Sequence, residues 1–286
     1  MTKDNIKIEL KQLEEYGCSL TREEKESISF DLNSSKAWAE IFWWRRESHL
    51  HRVDPEVEFL KNSLHSKILE IGAAYGRILG KISLIRQFDL LYGIELCPFF
   101  EPYFEEYKNI NNLGNNINIT YESFFDTTKW SNNFFDCILL PMNTIPSFSP
   151  QKIKQLFLKV YEILSNNGDF IFTVHKFDSD RIEKTLSQSK FSQASEVFTN
   201  SKSQTIKCEF LGLPAKKTDY GFEKATFHVY SFFDNNDKVK SKEIYRTSIH
   251  VMFPSLLDDI IEDLRFKIQL VDDKSHSRMY VVSKSK

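Results

Sequence analysis

The chain has little of what metal, redox and disulfide proteins are built from. Its 286 residues hold four cysteines, Cys18, Cys97, Cys137 and Cys208. No two form a C-x-x-C pair, so the spacing offers neither a zinc site nor a redox dithiol and reads as reduced, buried thiols. The seven histidines make no H-x-x-x-H or H-E-x-x-H set, and His49 and His51, two apart, would face different ways on a helix. No structural metal is expected. An excess of either charge is also lacking: Lys+Arg 38 against Asp+Glu 40 leaves a formal net charge of −2, which gives no global pull toward nucleic acid or an anionic membrane. No apolar run is long enough to span a bilayer, and the charged opening MTKDNIKIELKQLEEYGC does not read as a signal peptide. These absences predict a soluble, cytoplasmic protein with neither nucleic acid nor membrane as partner.

What is present is alternation. From Lys67 the pattern switches between short apolar runs and helical stripes, the sequence form of a parallel sheet with crossover helices. Strands are expected at Lys67 to Ile71, at LLYGIEL (Leu90 to Leu96), at INITYE ending near Glu122, at FFDCILLP (Phe134 to Pro141) and at DFIFTV. The spacing predicts helices over Arg77 to Arg86, after Pro98 with the stripe Phe100, Tyr103, Phe104 and Tyr107, and after the Ser149-Pro150 cap, the last ended by Asn167-Gly168. Beyond His175, KATFHVYSFFD and KEIYRTSIHVMF alternate over a strand's length on either side of DNNDK and read as an antiparallel pair added to the sheet. A helix opened by Pro254 and two closing runs, FKIQLVDD and RMYVVSK, would finish the sheet with an antiparallel edge. Before Lys67 lies a helical segment, with a capping box at Thr21 to Glu24 and Ser34 or Ser35 capping KAWAEIFWWRRES. The expected architecture is therefore α/β and doubly wound, with a helical cap or lid over 1–66. A binding domain follows over 67–286, with an antiparallel insertion at about 205–253.

The stretch KILEIGAAYGRILG, Lys67 to Gly80, ends an apolar run with a carboxylate and turns through two glycines into a helix. A dinucleotide pyrophosphate wants G-x-G-x-x-G directly after the strand, with backbone N–H groups close to its phosphates. Here the order is Glu70-Ile71-Gly72-Ala73-Ala74-Tyr75-Gly76. A carboxylate at the strand end repels a pyrophosphate and suits a ligand that brings positive charge.

With the strand and helix alternation, these residues resemble the class I S-adenosylmethionine-dependent methyltransferases of small-molecule type, from roughly Lys67 to the C-terminus. That family follows its first strand with (D/E)-x-G-x-G-x-G; Glu70, Gly72 and Gly76 match it, and Ala74 stands at the middle glycine. The resemblance implies a Rossmann-like fold with a mostly parallel seven-stranded sheet and S-adenosylmethionine as cofactor, a ligand with a sulfonium and an ammonium but no phosphate. It assigns Glu95, 25 residues after Glu70, to the ribose hydroxyls, followed by Leu96 in YGIELCPFF. Glu122 or Ser123 in ITYESFFD falls at the adenine-contacting position. Pro141 and Asn143 in LLPMNTIPSF fall where the fourth strand delivers its loop to the methyl donor. The N/D-P-P-Y/F of nucleic-acid amino-methyltransferases is absent there.

Methyl transfer is an in-line displacement at an already activated carbon, so alignment and exclusion of water matter more than obligatory side chains. If the acceptor is an amine, the candidate bases are His175, His250 and Tyr245. Trp43, Trp44, Arg45 and Arg46 would supply an aromatic and cationic wall over the acceptor, although Trp38, Ile41 and Phe42 at i, i+3 and i+4 read first as packing against the main domain. The same cradle also serves enzymes that cyclise or transfer the aminocarboxypropyl chain and release methylthioadenosine. Nothing in Lys67 to His175 separates that chemistry from methyl transfer. The expectation carried forward is a methyltransferase acting at nitrogen or oxygen of a small-molecule acceptor.

Overall fold

The structure is a computed structural model that describes residues 3–50, 53–199, 203–234, 236–274 and 277–285. In chain order the helices are α1 (Lys3–Glu15), α2 (Arg22–Glu26), α3 (Lys36–Trp44), α4 (Arg46–Leu50), α5 (Pro55–Leu60), α6 (Arg77–Ser83), α7 (Glu101–Ile110), α8 (Pro150–Ile163), α9 (Ser179–Ser187) and α10 (Pro254–Asp263). The strands are β1 (Lys67–Ile71), β2 (Leu90–Glu95), β3 (Ile117–Tyr121), β4 (Phe135–Leu140), β5 (Leu164–His175), β6 (Ser192–Thr199), β7 (Thr205–Gly212), β8 (Lys216–Thr218), β9 (Gly221–Phe233), β10 (Val239–Met252), β11 (Phe266–Lys274) and β12 (Ser277–Lys284). They divide into two compact units, Met1–Arg45 with Asp180–Val251 and Arg46–Ser179 with Met252–Lys286.

The larger unit, 46–179 with 252–286, is built on a seven-stranded sheet in the order β11-β12-β5-β4-β1-β2-β3. β1 to β5 pair in parallel, and β12 runs antiparallel to both β5 and β11. The central strands β1 and β4 are near-continuous apolar runs because helices cover both faces; Ile68, Leu69, Cys137, Ile138 and Leu139 are wholly buried. α8 starts where Ser149 Oγ accepts the Lys152 N–H and Pro150 fits the first turn. Its buried stripe packs on the sheet through Phe157, whose ring lies 5.2 Å from that of Phe170 and 5.5 Å from that of Phe172. One expectation is corrected here. α8 ends at Ile163 and β5 begins at once, so Asn167-Gly168 is not a helix stop but lies within the strand, where the pairing shifts from Phe135↔Leu164 to Cys137↔Asp169. The two closing runs form the antiparallel edge, with β12 joining β5 and β11 outermost.

The smaller unit, 1–45 with 180–251, holds a second sheet, in the order β10-β9-β7-β6 with β8 on β9. The two alternating runs expected as a pair added to the first sheet are β9 and β10 of this one; β7 pairs with β9 antiparallel and β6 with β7, which completes a surface that can bury its own apolar face. Both faces are covered: one packs Leu13 of α1 with Leu211, Phe227, Val229 and Ile244, and the opposite one packs Ala37 and Ile41 of α3 with Ile206, Tyr230 and Tyr245. α2 carries its capping box, Thr21 with Glu24, and Ser35 caps α3 by accepting the Trp38 N–H. Among the described residues no helix is long and apolar enough to cross a membrane.

Candidate functional site

In the larger unit the chain leaves β1 toward β2 on one side, whereas β4 lies on the other. The loops after β1 and β4, 72–76 and 141–144, therefore flank the topological switch point at the carboxyl edge, where open α/β sheets bind ligands. The first loop is tightly wound. Gly72 N–H donates to Ile94 O at 2.8 Å and Gly76 N–H to Ala73 O at 2.8 Å, with φ of +76° at Gly72, +47° at Ala74 and +79° at Gly76. The two glycines serve different ends. A Cβ at Gly76 would lie 2.9 Å from Phe104 and 3.0 Å from Ile119, so that glycine lets α7 and β3 pack. A Cβ at Gly72 would meet nothing nearer than Thr144 at 4.0 Å, so its backbone faces open space.

Two carboxylates anchor this loop. Glu95, at the end of β2, accepts the Ala74 N–H through Oε2 and the Cys97 N–H through Oε1, each at 2.8 Å. Burial pushes its carboxyl above the ordinary value, against the pull of these backbone donors. Glu70 is 2% exposed. Burial raises its carboxyl well above the usual range, opposed by the Arg77 charge and by the Leu79 N–H at the start of α6. Its Oε2 is buried with no donor among the described residues. An orphaned carboxylate oxygen beside an open loop fits a cationic ligand rather than a phosphate.

Beneath the loop lies an ion cluster that the sequence did not reveal. Arg77, the first residue of α6, makes a two-pronged pair with Asp54 at 2.6 and 3.0 Å, and Lys81 one turn later reaches the same carboxylate at 2.7 Å. Burial is the largest single influence on Asp54 and pushes it up, but the bonds and charges of Arg77 and Lys81 together outweigh it and hold the carboxyl below its ordinary value. Arg77 also reaches Met142 Sδ at 3.2 Å. The only signals for this cluster are the Asp-Pro-Glu start of α5 and an arginine directly after Gly76.

In the second loop Met142 and Asn143 both take positive φ, +61° and +56°, a strained pair of the kind that marks ligand sites. Asn143 N–H donates to Thr173 Oγ1 at 3.1 Å and its Nδ2 to Ser277 Oγ at 3.3 Å. Pro141 is buried just before it.

The remaining expected residues are scattered more widely. Leu96 is exposed beside Glu95. Glu122 pairs with Lys129 at 2.7 Å and accepts the Thr120 hydroxyl, which lowers its pKa, while Ser123 Oγ accepts the Phe125 N–H. His175 is exposed at the end of β5, opposite Ser277. Arg46 opens α4 in the larger unit, and its charge is felt at the Tyr75 hydroxyl, which burial pushes up to about 12. Trp43, Trp44, Tyr245 and His250 belong to the smaller unit. There Trp43 is buried, Trp44 packs on Phe198, Tyr245 OH donates to Glu243 at 3.0 Å, and His250 Nδ1 shares a hydrogen bond with Tyr220 OH at 2.8 Å. His51 and the side chain of His49 lie outside the described residues.

No protein-family model matches the chain, and no curated protein matches it in sequence. Solved structures do match in fold. A crystal structure of an S-adenosylmethionine-dependent methyltransferase from Clostridium acetobutylicum superposes with a TM-score of 0.59 at 11% identity, covering 85% of this chain and 96% of that one. CalS10, an amino pentose methyltransferase from Micromonospora echinaspora, gives 0.57 at 8% identity over 85% and 92%. The sugar N-methyltransferase KedS8 from a Streptoalloteichus species gives 0.58 at 11% identity over 86% and 92%. The seven-stranded sheet and the loop after its first strand thus give this chain the Rossmann-like fold of the S-adenosylmethionine-dependent methyltransferases.

Proposed function

We propose that the protein is an S-adenosylmethionine-dependent methyltransferase that acts at nitrogen or oxygen of a small-molecule acceptor. The observation that carries this reading is the buried, partnerless Glu70 oxygen beside a loop open above Gly72, at the switch point of the sheet. A carboxylate there suits the cofactor's positive charge. Glu95 is the acid for the ribose hydroxyls, and its bond to the Ala74 N–H ties that acid to the loop. Leu96, exposed next to it, offers an apolar face to the adenine, and Glu122 or Ser123, just past β3, supplies its polar contact. Pro141 and Asn143 line the opposite rim. When bound, S-adenosylmethionine supplies a methyl group on a sulfonium; the protein's share is to orient the acceptor in line with it and to exclude water.

For an amine acceptor, His175, exposed at the carboxyl end of β5, is the base that takes the proton. Nitrogen as the methylated atom is supported by the amino pentose and sugar N-methyltransferases among the similar folds. The same likeness supports methyl transfer over cyclisation or aminocarboxypropyl transfer. The near-neutral charge supports a small acceptor over a nucleic acid.

The test is a mass spectrum of the purified protein incubated with S-adenosylmethionine, alone and with a panel of amino sugars and small amines. S-adenosylhomocysteine released only with an acceptor is the expected product. Methylthioadenosine with a new small amino acid would overturn the reading.

A further inference from the structure

Glu56, in the first turn of α5, is 2% exposed, and its Oε1 is buried with no donor among the described residues. It shares that condition with Glu70 Oε2 and with Asn143 Oδ1. All three orphaned atoms are acceptors, and they belong to one neighbourhood. The Thr173 hydroxyl bonds the Glu56 carboxyl and accepts the Asn143 N–H, so α5, β5 and the loop after β4 meet at one side chain. The Glu56 charge acts on Glu70, and both feel Arg77 and Asp54.

The charges do not balance among the five described groups that share this cluster. Glu56, Glu70 and Asp54 face Arg77 and Lys81, and Asp54 engages both of these cations. When all five groups are ionised, the cluster carries one excess negative charge and two carboxylates short of donors. Buried carboxylates in that state are costly, and their natural complement is a cation with several N–H donors.

We propose that Glu56 is a second carboxylate of the cofactor site and that Glu56 and Glu70 together receive the α-ammonium of S-adenosylmethionine. The cofactor, with a sulfonium and an ammonium against one carboxylate, carries the one positive charge that the cluster lacks. This inference rests on the proposed function, and it adds a residue outside the glycine loop to the cofactor's contacts.

The test is calorimetry of wild type and Glu56→Gln with two ligands at neutral pH: S-adenosylhomocysteine, which has the ammonium, and methylthioadenosine, which lacks the amino acid portion. The glutamine keeps the shape and removes the charge. The expected result is S-adenosylhomocysteine bound about ten- to a hundred-fold more weakly, as for loss of a charged hydrogen bond, with methylthioadenosine affinity unchanged. Unchanged or tighter S-adenosylhomocysteine binding overturns the proposal. Equal weakening of both ligands also overturns it, because it assigns Glu56 a structural role. A wild type that binds neither ligand overturns the methyltransferase reading itself.

Discussion

Replacing Asp54 by alanine removes the carboxylate that joins the start of α5 to α6. Asp54 is 3% exposed and its Arg77 partner 6%, so the pair is dry and its loss falls in the range for breaking a buried ion pair, about 3–5 kcal/mol. Lys81 is one-fifth exposed, and its share adds no more than about 1 kcal/mol. The larger unit has roughly 170 residues; at about 2–4 °C per kcal/mol its thermal transition should fall by about 6–24 °C. The sign of the pH dependence follows from the lowered Asp54 carboxyl. Its contribution is complete above the ordinary value of 3.8 and is lost as the pH falls below that value through the depressed folded one. Differential scanning calorimetry of wild type and Asp54→Ala should therefore give a wide gap at pH 7 that closes in acid. A gap under about 2 °C at pH 7, or one that persists unchanged in strong acid, would refute the reasoning.

Gly72→Ala and Gly76→Ala impose similar backbone strain, about 1 kcal/mol, but only the second adds overlap with Phe104 and Ile119. Gly76→Ala should then lower the melting temperature markedly, and Gly72→Ala should mainly weaken S-adenosylhomocysteine binding in calorimetry. Glu95→Ala frees the Ala74 and Cys97 N–H groups and should weaken the same ligand at least about tenfold; unchanged affinity would remove the ribose assignment. His175→Ala should slow turnover of an amine acceptor and leave cofactor affinity intact, and full activity would remove it as base. Glu70, with its carboxyl raised by burial, costs the unligated protein stability as the pH rises through its folded value. Glu70→Gln should consequently flatten the fall of melting temperature as the pH rises above the ordinary carboxyl value of 4.5.

The framework of the larger unit was legible because its signals are local. β1 and β4 are apolar on both faces, and the Ser149-Pro150 cap and the stripe of α8 lie within one helix. Glu70, Gly72, Gly76 and Glu95 could be picked out because each stands at a strand end with a fixed offset to the next. The Asp54–Arg77 contact spans 23 residues and follows no helical or strand period, so only the folded chain reveals it. β9 and β10 were readable as strands, but which sheet they join is decided by pairing with β7 and packing on α1, contacts more than a hundred residues apart in the case of Leu13 and Phe227. Asn167-Gly168 looks like a helix stop, yet pairing with β4 begins at Leu164 and carries the chain through it.

The position of β12 has a consequence for biosynthesis. Residues 277–284 sit between β11 and β5, where Tyr280, Val281 and Val282 are buried and Tyr280 stacks on Phe172 at 5.0 Å. While the ribosome is still making these residues, β5 presents Phe170, Ile171 and Phe172 on an unpaired strand edge, and the whole smaller unit has already emerged. Nascent chains of this protein therefore carry a sticky, unfinished edge for about a third of their synthesis. A nonsense mutation near codon 265 should produce aggregates, not a shorter folded protein.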